Sequence, residues 1–539
     1  MDERPKRRPE LLLPAGSLNK LKTALLYGAD AVYAGTPDLS LRTQSSFSLE
    51  ELVEGVRFAH QLGKKIYLTL NLFTHNRDVE RLPQFIETVR TVQPDGLIVA
   101  DPGVFMFVKQ HAPELELHIS TQSNVASWLT VDYWHKQGAS LCVLAREVAF
   151  DELAEIRHRC PDIKLEVFVH GAMCMTYSGR CLLSNFLAER GANQGNCANS
   201  CRWKYKLKVR RRDGSLQTVE IDEQNRDAFE FFLEEEFRGG QLFPIEEDAH
   251  GSYILNSKDL CLMPELDHYL QLGIDSFKVE GRSKNEYYAA VVARTYRAAI
   301  DAYYRDPGGW RSEPFLEELY AVRSRGYTLG FHAGRPTDLA HDYDSTRTLG
   351  IQGFAGFIRS WRDGSMIFEL RSKIEAGDVI EFLVPTEMRC LRLRLYEFVD
   401  DKSGQTVQSL SAGNGHAIRI PLEAFHNEHT ETLQAQLPEL TVARKRVPLT
   451  EEEQATLTRS AREFAAERGI IPLSALKNAS ATRGAAALKP GKAPRLGLDG
   501  CCGLGCNGCV MFWNDPKFEQ ARARYQKQPL GTKLPRTAT

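Results

Sequence analysis

The sequence predicts an α/β protein with a TIM-like (β/α) barrel that carries a cysteine-rich insertion. A small all-β, barrel-like domain and a cysteine-rich C-terminal tail are predicted to follow it. Two observations predict the barrel: short apolar runs alternate with amphipathic helical stretches from residue 10 to residue 282, and polar residues follow the ends of those runs. A chain of 539 residues also exceeds what one hydrophobic core usually supports, so further domains are expected.

Nine short apolar runs are candidate strands. They are Leu11–Leu13, Ala31–Tyr33, Ile66–Leu70, Leu97–Val99, Leu117–Ile119, Leu141–Val143, Leu165–Val169, Ile254–Leu255 and Phe277–Val279. A closed barrel of this class has eight strands, so we assign Ile254–Leu255 to a hairpin or an edge. A doubly wound open sheet is the alternative, but no G-x-G-x-x-G motif follows the first strand.

The helices between these runs show clear end signals, of which the first is the best example. Ser17 is a capping residue, Leu18, Leu21, Leu25 and Leu26 form one apolar stripe, and Gly28 is a stop signal. The pattern therefore predicts a helix directly after the first strand.

Composition and periodicity divide the chain into six segments. Asp363-Gly364 is a hairpin signal within an all-β region, and the stretch before the last cysteines is rich in Ala, Lys, Gly and Pro, as linkers are. The predicted segments are an N-terminal arm at 1–9, a barrel domain at 10–345 with an insertion at 172–252, a β domain at 346–445, a helix at 446–474, a linker at 475–494 and a tail at 495–539.

Bulk charge and hydropathy exclude some functions. The net charge of -2 and pI of about 6.7 mean that nucleic-acid binding requires a local basic patch. No apolar run reaches the roughly 20 residues that span a bilayer, and no secretory leader is evident, so we expect a soluble cytoplasmic protein without membrane contact. Twelve cysteines in such a protein indicate metal or redox sites rather than disulfides.

Four cysteines in the insertion follow the spacing C-x6-C-x15-C-x3-C. They are Cys174, Cys181, Cys197 and Cys201. The wide first pair is unusual for zinc, and four thiolates can also hold an iron–sulfur cluster. Zinc and buried structural cysteines remain alternatives, and Cys261 competes with Cys201 as fourth ligand.

The segment from His170-Gly171 to Arg202-Trp203 resembles the signature of the collagenase-like peptidase family of unassigned catalytic type, in particular its TrhP-like tRNA hydroxylation proteins. The resemblance extends over roughly residues 10 to 440 and includes Leu13–Gly16, Asn256–Leu260 and Lys278–Arg282. It implies a 4Fe–4S cluster and oxygen-independent 5-hydroxylation of the wobble uridine of tRNA. The implied hydroxyl donor is prephenate or a related chorismate-derived dicarboxylate. Relatives act on ribosomal RNA and on ubiquinone precursors.

Proteolysis is the alternative enzyme class that the family name suggests. The sequence has no G-x-S-x-G elbow, no H-E-x-x-H motif and no evident pairing of a nucleophile with a base. We therefore regard RNA hydroxylation as the leading hypothesis, with peptidase activity, hydroxylation of ribosomal RNA and a non-catalytic RNA-binding module as alternatives.

Polar residues beyond the strand ends are the candidate active site, because catalytic groups of barrels lie at that edge. His170 and Glu280 are the candidate catalytic residues. Cations there suit a dicarboxylate, and amides suit a base or the donor; structural ion pairs and loop caps are the alternatives. The candidate substrate-binding residues are Asn71, Gln122, Arg180, Lys258, Lys278 and Arg282.

A basic segment follows the four cysteines and is the candidate RNA-binding element. Seven of the eleven residues from Arg202 to Arg212 are cations, and they alternate with apolar or aromatic residues in its first part. An amphipathic strand with a solvated charged face is the alternative. The residues assigned to RNA are Arg202, Lys204, Lys206, Lys208 and Arg210.

The tail contains a second cysteine cluster. Cys501, Cys502, Cys506 and Cys509 lie within nine residues, in a glycine-rich stretch. Such spacing predicts a second metal site but does not distinguish zinc from iron–sulfur. We expect this tail to be accessory to the barrel.

Overall fold

The structure is a computed structural model. It describes residues 8–36, 47–71, 74–173, 208–210, 216–218, 231–234, 242–248, 251–253, 257–334, 336, 340, 348–385, 387–413, 415–421, 424 and 430–467. The predicted strand Ile254–Leu255, the linker and the tail lie outside these residues.

Eight parallel strands close into a barrel. They are β1 Glu10–Ala15, β2 Ala31–Gly35, β3 Lys65–Leu70, β4 Gly96–Val99, β5 Glu116–Ile119, β6 Leu141–Val143, β7 Lys164–Ala172 and β8 Ser276–Val279. Strands β1 to β7 pair in chain order, and β8 pairs with both β7 and β1. The predicted barrel is therefore confirmed, and the open-sheet alternative is wrong.

Helices follow the strands and cover the outside of the barrel. They are α1 Leu18–Leu26, α2 Leu49–Gln61, α3 Leu82–Val92, α4 Pro102–His111, α5 Trp128–Gln137, α6 Phe150–Arg159, α7 Leu266–Leu272 and α8 Glu286–Arg305, with a single helical turn at Asn76–Val79. The end signals of α1 behave as predicted: the Ser17 hydroxyl accepts a hydrogen bond from the Lys20 amide, and Gly28 follows the helix with φ +108°.

Two short strands extend the sheet beside β7. Asp259–Cys261 runs antiparallel to the end of β7. Tyr327–Thr328 pairs in parallel with the other edge of Asp259–Cys261. The sequence analysis missed both strands, because they are too short for an alternating pattern to emerge. These strands extend the sheet next to His170, which pairs in register with Cys261.

A curled antiparallel sheet follows the barrel. Its strands are β9 Gln352–Arg362, β10 Ser365–Leu370, β11 Val379–Leu383, β12 Cys390–Arg394, β13 Phe398–Asp400, β14 Thr406–Val407, β15 Ala417–Pro421 and β16 Val442–Arg446, in the spatial order β12-β11-β16-β9-β10-β15-β13-β14. Ile374–Glu375 pairs separately with Ser409–Leu410. The hairpin predicted at Asp363-Gly364 joins β9 to β10, with φ of 48° and 69° at these two residues.

Three further helices are described in the same unit as the barrel and the curled sheet. They are α9 Glu313–Tyr320, α10 Thr430–Gln436 and α11 Glu451–Glu467. Phe464 of α11 packs into the same hydrophobic core as the barrel. Within the described residues, no helix is both long enough and apolar enough to cross a membrane.

Residues 204–252 belong to a second compact unit. Lys208–Arg210 pairs antiparallel with Leu216–Thr218, and Phe231–Glu234 pairs antiparallel with Leu242–Asp248, which also neighbours Gly251–Tyr253 in the same small sheet. A strand at Lys208–Arg210 agrees with the alternating pattern of the basic segment.

Tyr27 links the barrel to the curled sheet. Its buried hydroxyl donates to the Leu383 carbonyl at 2.7 Å and accepts from the Val442 amide at 2.9 Å. A Tyr27→Phe substitution leaves both backbone groups buried without a partner. We expect it to lower the free energy of unfolding by about 1–3 kcal/mol, measured by chemical denaturation.

Tyr396→Phe is the matched control, because Tyr396 lies on the same sheet domain and is 71% exposed. It should leave the stability unchanged. Equal stability of the Tyr27→Phe protein and the control would contradict a structural role for this hydroxyl.

Candidate active site at the barrel mouth

The mouth is shaped where β7 and β8 end, because their backbones approach closely there. Gly171 has φ +112°, and a Cβ at this position would lie 2.4 Å from the Glu280 carbonyl oxygen. Gly281 has φ +150°, and its Cβ would lie 2.7 Å from the ring of Tyr288. Only glycine accommodates both the backbone angles and the contacts. These glycines fix the positions of the residues that flank them, His170 and Glu280.

A buried ion pair lies beneath the mouth, inside the barrel. Lys278 Nζ is 2.7 Å from Glu166 Oε1, and the Ser276 hydroxyl donates to Glu166 Oε2 at 2.7 Å. The side chains of Glu166 and Lys278 are 1% and 6% exposed. The candidate substrate cation Lys278 therefore has a strong internal partner, as the salt-bridge alternative predicted.

Lys278 also begins a stack of cations and aromatic rings that leads toward the strand ends. Its Nζ lies 4.6 Å from the ring centre of Tyr33. Arg282 lies above the same ring at 5.6 Å, and Arg146 lies 3.7 Å from the ring centre of Phe168. Cations are attracted to aromatic faces, so the rings hold these side chains in place.

The two arginines have further polar contacts at the mouth. Arg282 donates to the Thr69 hydroxyl at 3.3 Å, and Arg146 lies 3.4 Å from Glu280 Oε2. Together with Lys278 they place three cations near the carboxyl groups of Glu166, Glu280 and Glu147. Guanidinium groups bind carboxylates in a planar, two-bond geometry.

Buried acceptor atoms without a partner lie just past other strand ends. Within the described residues, no donor reaches Asn71 Oδ1 after β3, Gln122 Oε1 and Asn124 Oδ1 after β5, or Glu147 Oε2 after β6. A buried acceptor left unsatisfied costs about 1–3 kcal/mol, so such atoms need an explanation. A bound ligand with N–H or O–H groups would satisfy them.

The carboxyl groups of the mouth differ in their surroundings. Burial raises the pKa of Glu147 above its usual value, with Arg146 acting in the opposite direction. Glu280 is partly exposed, and its Oε1 accepts a hydrogen bond from the Gly281 amide. Two carboxyl groups in unlike environments suit different proton-transfer tasks.

The ring of His170 packs among three tyrosine rings. Its ring centre lies 5.4–6.0 Å from those of Tyr288, Tyr296 and Tyr327, and its Nδ1 is 3.4 Å from the Tyr296 hydroxyl. Burial lowers the pKa of His170 to about 4, so the ring is neutral near pH 7. In this position His170 acts as a structural residue or as a neutral hydrogen-bonding group; its catalytic role remains a hypothesis.

Lys258 is also paired within the protein. Its side chain is 3% exposed, and its Nζ lies 2.6 Å from Glu463 on α11. Of the predicted substrate-binding residues that the structure describes, Asn71, Gln122 and Arg282 lie at the barrel mouth and Lys278 lies beneath it. Lys258 instead contacts the helix that follows the curled sheet.

Many predicted site residues lie outside the described residues. These are Cys174, Cys181, Cys197, Cys201, Arg180, Arg202, Lys204, Lys206, Cys501, Cys502, Cys506 and Cys509. For Lys208 and Arg210 only the strand is described, not the side chains. Cys261 is described: it is fully buried, with its Sγ 3.9 Å from the Tyr296 hydroxyl.

The sequence places Arg146 and Glu147 in the ring of polar strand ends but assigns them no role in binding or catalysis. It misses Asn124, although this residue also follows a strand end. Tyr33 and Phe168 gave no such signal, because an aromatic residue within an apolar strand is usually part of the core. Their contribution emerges only from the cations stacked on them.

The chain is similar in sequence to a known protein family and to several named proteins. The model of "Peptidase family U32" matches residues 16–342. The tRNA hydroxylation protein P of Escherichia coli (strain K12) is 37% identical over 435 residues, or 77% of this chain and 94% of that protein. Its namesake in Haemophilus influenzae is 36% identical over 431 residues, or 76% of this chain and 92% of that protein. A 23S rRNA 5-hydroxycytidine synthase of Escherichia coli (strain K12) is 29% identical over 419 residues, or 76% of this chain and 58% of that protein.

The buried ion pair beneath the mouth gives a stability prediction. Glu166→Gln leaves the Lys278 ammonium buried without its counter-charge, so we expect the free energy of unfolding to fall by about 3–5 kcal/mol in denaturant titrations. The double variant Glu166→Gln, Lys278→Met should recover part of that loss, because the unpaired charge is removed with it.

The control is the exposed pair Lys136 and Asp132 on α5, whose Nζ and Oδ2 are 2.6 Å apart. Asp132→Asn should change the stability by less than about 1 kcal/mol. A Glu166→Gln protein as stable as this control would refute the importance of the buried pair.

Proposed function

The chain belongs to peptidase family U32, and from this membership and the geometry of the mouth we propose that it is an enzyme that hydroxylates a base of RNA. Two of the relatives described above are named tRNA hydroxylation proteins, and a third is named a ribosomal RNA hydroxycytidine synthase. Hydroxylation of RNA is what these names share. The first two relatives are matched over more than nine-tenths of their length, which supports tRNA as the substrate.

The finer proposal is 5-hydroxylation of the wobble uridine, with a dicarboxylate such as prephenate as the hydroxyl donor. The observation that carries it is the pairing of Arg146 and Arg282 with aromatic faces at the strand ends. Two guanidinium groups held in place before the ligand arrives lose little side-chain entropy when it binds. They are suited to the two carboxylates of such a donor.

The acceptor atoms around the mouth support binding of a base. A uracil ring has an N–H group between two carbonyls, and this group can donate to a side-chain amide oxygen. Asn71 Oδ1 and Gln122 Oε1 are buried oxygens of this kind without a described donor. We infer that at least one of them accepts a hydrogen bond from the base, while the arginines hold the donor.

The proton transfers of the reaction are assigned to the carboxyl groups of the mouth. Glu280 is partly exposed and lies 3.4 Å from Arg146, and we assign it the role of base. Glu147, whose pKa is raised by burial, suits an acid or a hydrogen-bond donor. In this proposal His170 supports the wall of the site through its neutral ring.

A 4Fe–4S cluster held by Cys174, Cys181, Cys197 and Cys201 is part of the proposal. When bound, it would supply one-electron chemistry. Cys261 is the alternative to Cys201 as fourth ligand; its thiol is fully buried, with Sγ 3.9 Å from the Tyr296 hydroxyl. The cysteines of the tail are proposed as a second metal site.

The basic segment is proposed to contact the RNA backbone. Arg202, Lys204, Lys206, Lys208 and Arg210 alternate along the chain, so an extended segment presents its cations on one face. Because the net charge of the chain is -2, such a local patch is required for binding a polyanion. Phosphate contacts would position the RNA without reading its sequence.

The arginines of the mouth can be tested through the donor. Arg282→Gln and Arg146→Gln each remove a charge-assisted contact worth about 1.5–3 kcal/mol, so the KM for the donor should rise about 10- to 100-fold. The KM for tRNA should stay near its original value. Steady-state assays with varied donor concentration measure both constants.

Arg57→Gln, on the exposed side of α2, is the control and should behave like the unchanged protein. Iron and sulfide content must be equal in all variants, so that a difference reports on binding. If Arg282→Gln leaves the donor dependence unchanged, the assignment of the dicarboxylate to this mouth is wrong.

The function itself is tested by deletion of the gene. Mass spectrometry of tRNA nucleosides should show the loss of 5-hydroxyuridine-derived wobble nucleosides during anaerobic growth, when no oxygen-dependent route replaces the enzyme. Complementation with the intact chain should restore them, and the Arg282→Gln chain should restore less. Loss of a hydroxylated base from ribosomal RNA alone would overturn the substrate, and peptide cleavage by the purified protein would overturn the reaction.

A further inference from the structure

A group of two histidines and one glutamate lies outside the set of residues used above. Glu265 directly precedes α7, His268 is in the first turn of that helix, and His332 lies on the turn after Tyr327–Thr328. Glu265 and His268 form an E-x-x-H sequence, and residues three apart lie on one face of a helical turn. The same spacing binds metals in helical carboxylate proteins.

The three side chains converge on one point. Both histidines approach the same atom, Glu265 Oε2: His268 Nδ1 at 3.1 Å and His332 Nε2 at 3.6 Å. The ligand atoms of all three residues lie within 4.8 Å of one another. Zinc bonds to nitrogen and oxygen of about 2.0–2.2 Å in a tetrahedron place ligand atoms about 3.3–3.6 Å apart, close to the two observed distances.

Neighbouring residues hold the ring of His332 in one orientation, as they usually do for metal-binding histidines. Its Nδ1 is 2.9 Å from the Tyr269 hydroxyl, which leaves Nε2 directed at Glu265. Its carbonyl accepts from the Phe150 amide at 3.0 Å, and the Phe150 ring packs at 5.3 Å from the imidazole. A hydrogen bond to the distal nitrogen is the usual partner of a metal-bound histidine.

We propose that Glu265, His268 and His332 bind one divalent transition-metal ion of the zinc class. Two imidazoles and one carboxylate are borderline ligands that suit zinc and its neighbours and do not suit calcium or magnesium, which prefer oxygen alone. His268 is 48% exposed, whereas Glu265 and His332 are 14% and 12% exposed. The fourth ligand position therefore faces solvent and takes a water molecule.

An ion pair without metal is the competing interpretation of this group. The two imidazole rings are nearly parallel, with centres 6.2 Å apart at 9°, and both direct a nitrogen to the same carboxylate oxygen. A divalent ion between them would use all three side chains as ligands.

The site would brace one wall of the barrel. A small cavity of about 30 Å³ is lined by His332 and Tyr269, and also by Arg146 and Phe168. A metal that ties the turn at His332 to α7 would therefore hold the outer side of the wall from which Arg146 reaches the mouth. We expect its role to be structural support of that wall.

The test is zinc binding by the full-length protein, compared between variants. The protein is treated with a chelator, returned to buffer and titrated with Zn²⁺ alone. The unchanged chain should bind one equivalent more than His332→Gln, Glu265→Gln or His268→Gln, and metal bound by cysteines elsewhere cancels in the difference. His158→Gln, exposed on α6, is the control and should match the unchanged chain. No RNA or hydroxyl donor is needed, so this outcome is independent of the proposed function.

Two further readouts separate metal binding from folding. His268 is half-exposed, so its replacement should leave the circular dichroism spectrum unchanged even if the His332 variant unfolds. Tyr269→Phe should weaken zinc binding about 10- to 100-fold without removing a ligand. Equal zinc stoichiometry in the unchanged chain and a folded His268→Gln protein would overturn the proposal, as would a melting temperature that Zn²⁺ raises equally in both.

Discussion

Glu166 and Lys278 face each other on the neighbouring strands β7 and β8, inside the closed barrel, where they are almost fully removed from water. Burying either charge alone would be strongly unfavourable, so each residue requires the other on the neighbouring strand. Lys278 in turn lies against the ring of Tyr33, above which Arg282 is stacked. The cations of the mouth thus depend on a pair that is almost completely buried.

The close approach of β7 and β8 positions Glu280, Arg282 and His170. Gly171 and Gly281 allow the two strand ends to touch, and Glu280 and Arg282 flank the second of these glycines. Next to them the added strand Asp259–Cys261 and Tyr327 enclose the ring of His170. One side of the mouth is therefore a rigid, densely packed wall, which suits the positioning of a small donor better than a loop would.

The two proposed substrates, a small donor and an RNA, call for different kinds of contact. A small dicarboxylate is bound by a few fixed guanidinium groups, whereas RNA is bound by many phosphate contacts spread along a surface. The relatives differ in the RNA that their names give, tRNA or ribosomal RNA, and each matches about three quarters of this chain. Sequence changes outside the mouth could alter which RNA is bound while the hydroxylation chemistry stays the same.

The sequence by itself determined the barrel, the first helix with its ends, the hairpin at Asp363-Gly364 and the polar character of the strand ends, because these follow from local periodicity and turn chemistry. It also singled out Arg282, Lys278, Asn71 and Gln122 by their position after or within strands. Only the tertiary structure decided that Lys258 pairs with Glu463, that three tyrosines enclose His170, and that Arg146 joins Arg282 at the mouth. Thr69 and Arg282 are 213 positions apart, and Arg146 and Glu280 are 134 apart. Contacts over such separations depend on how the barrel closes, and no pattern within a short window of residues encodes that closure.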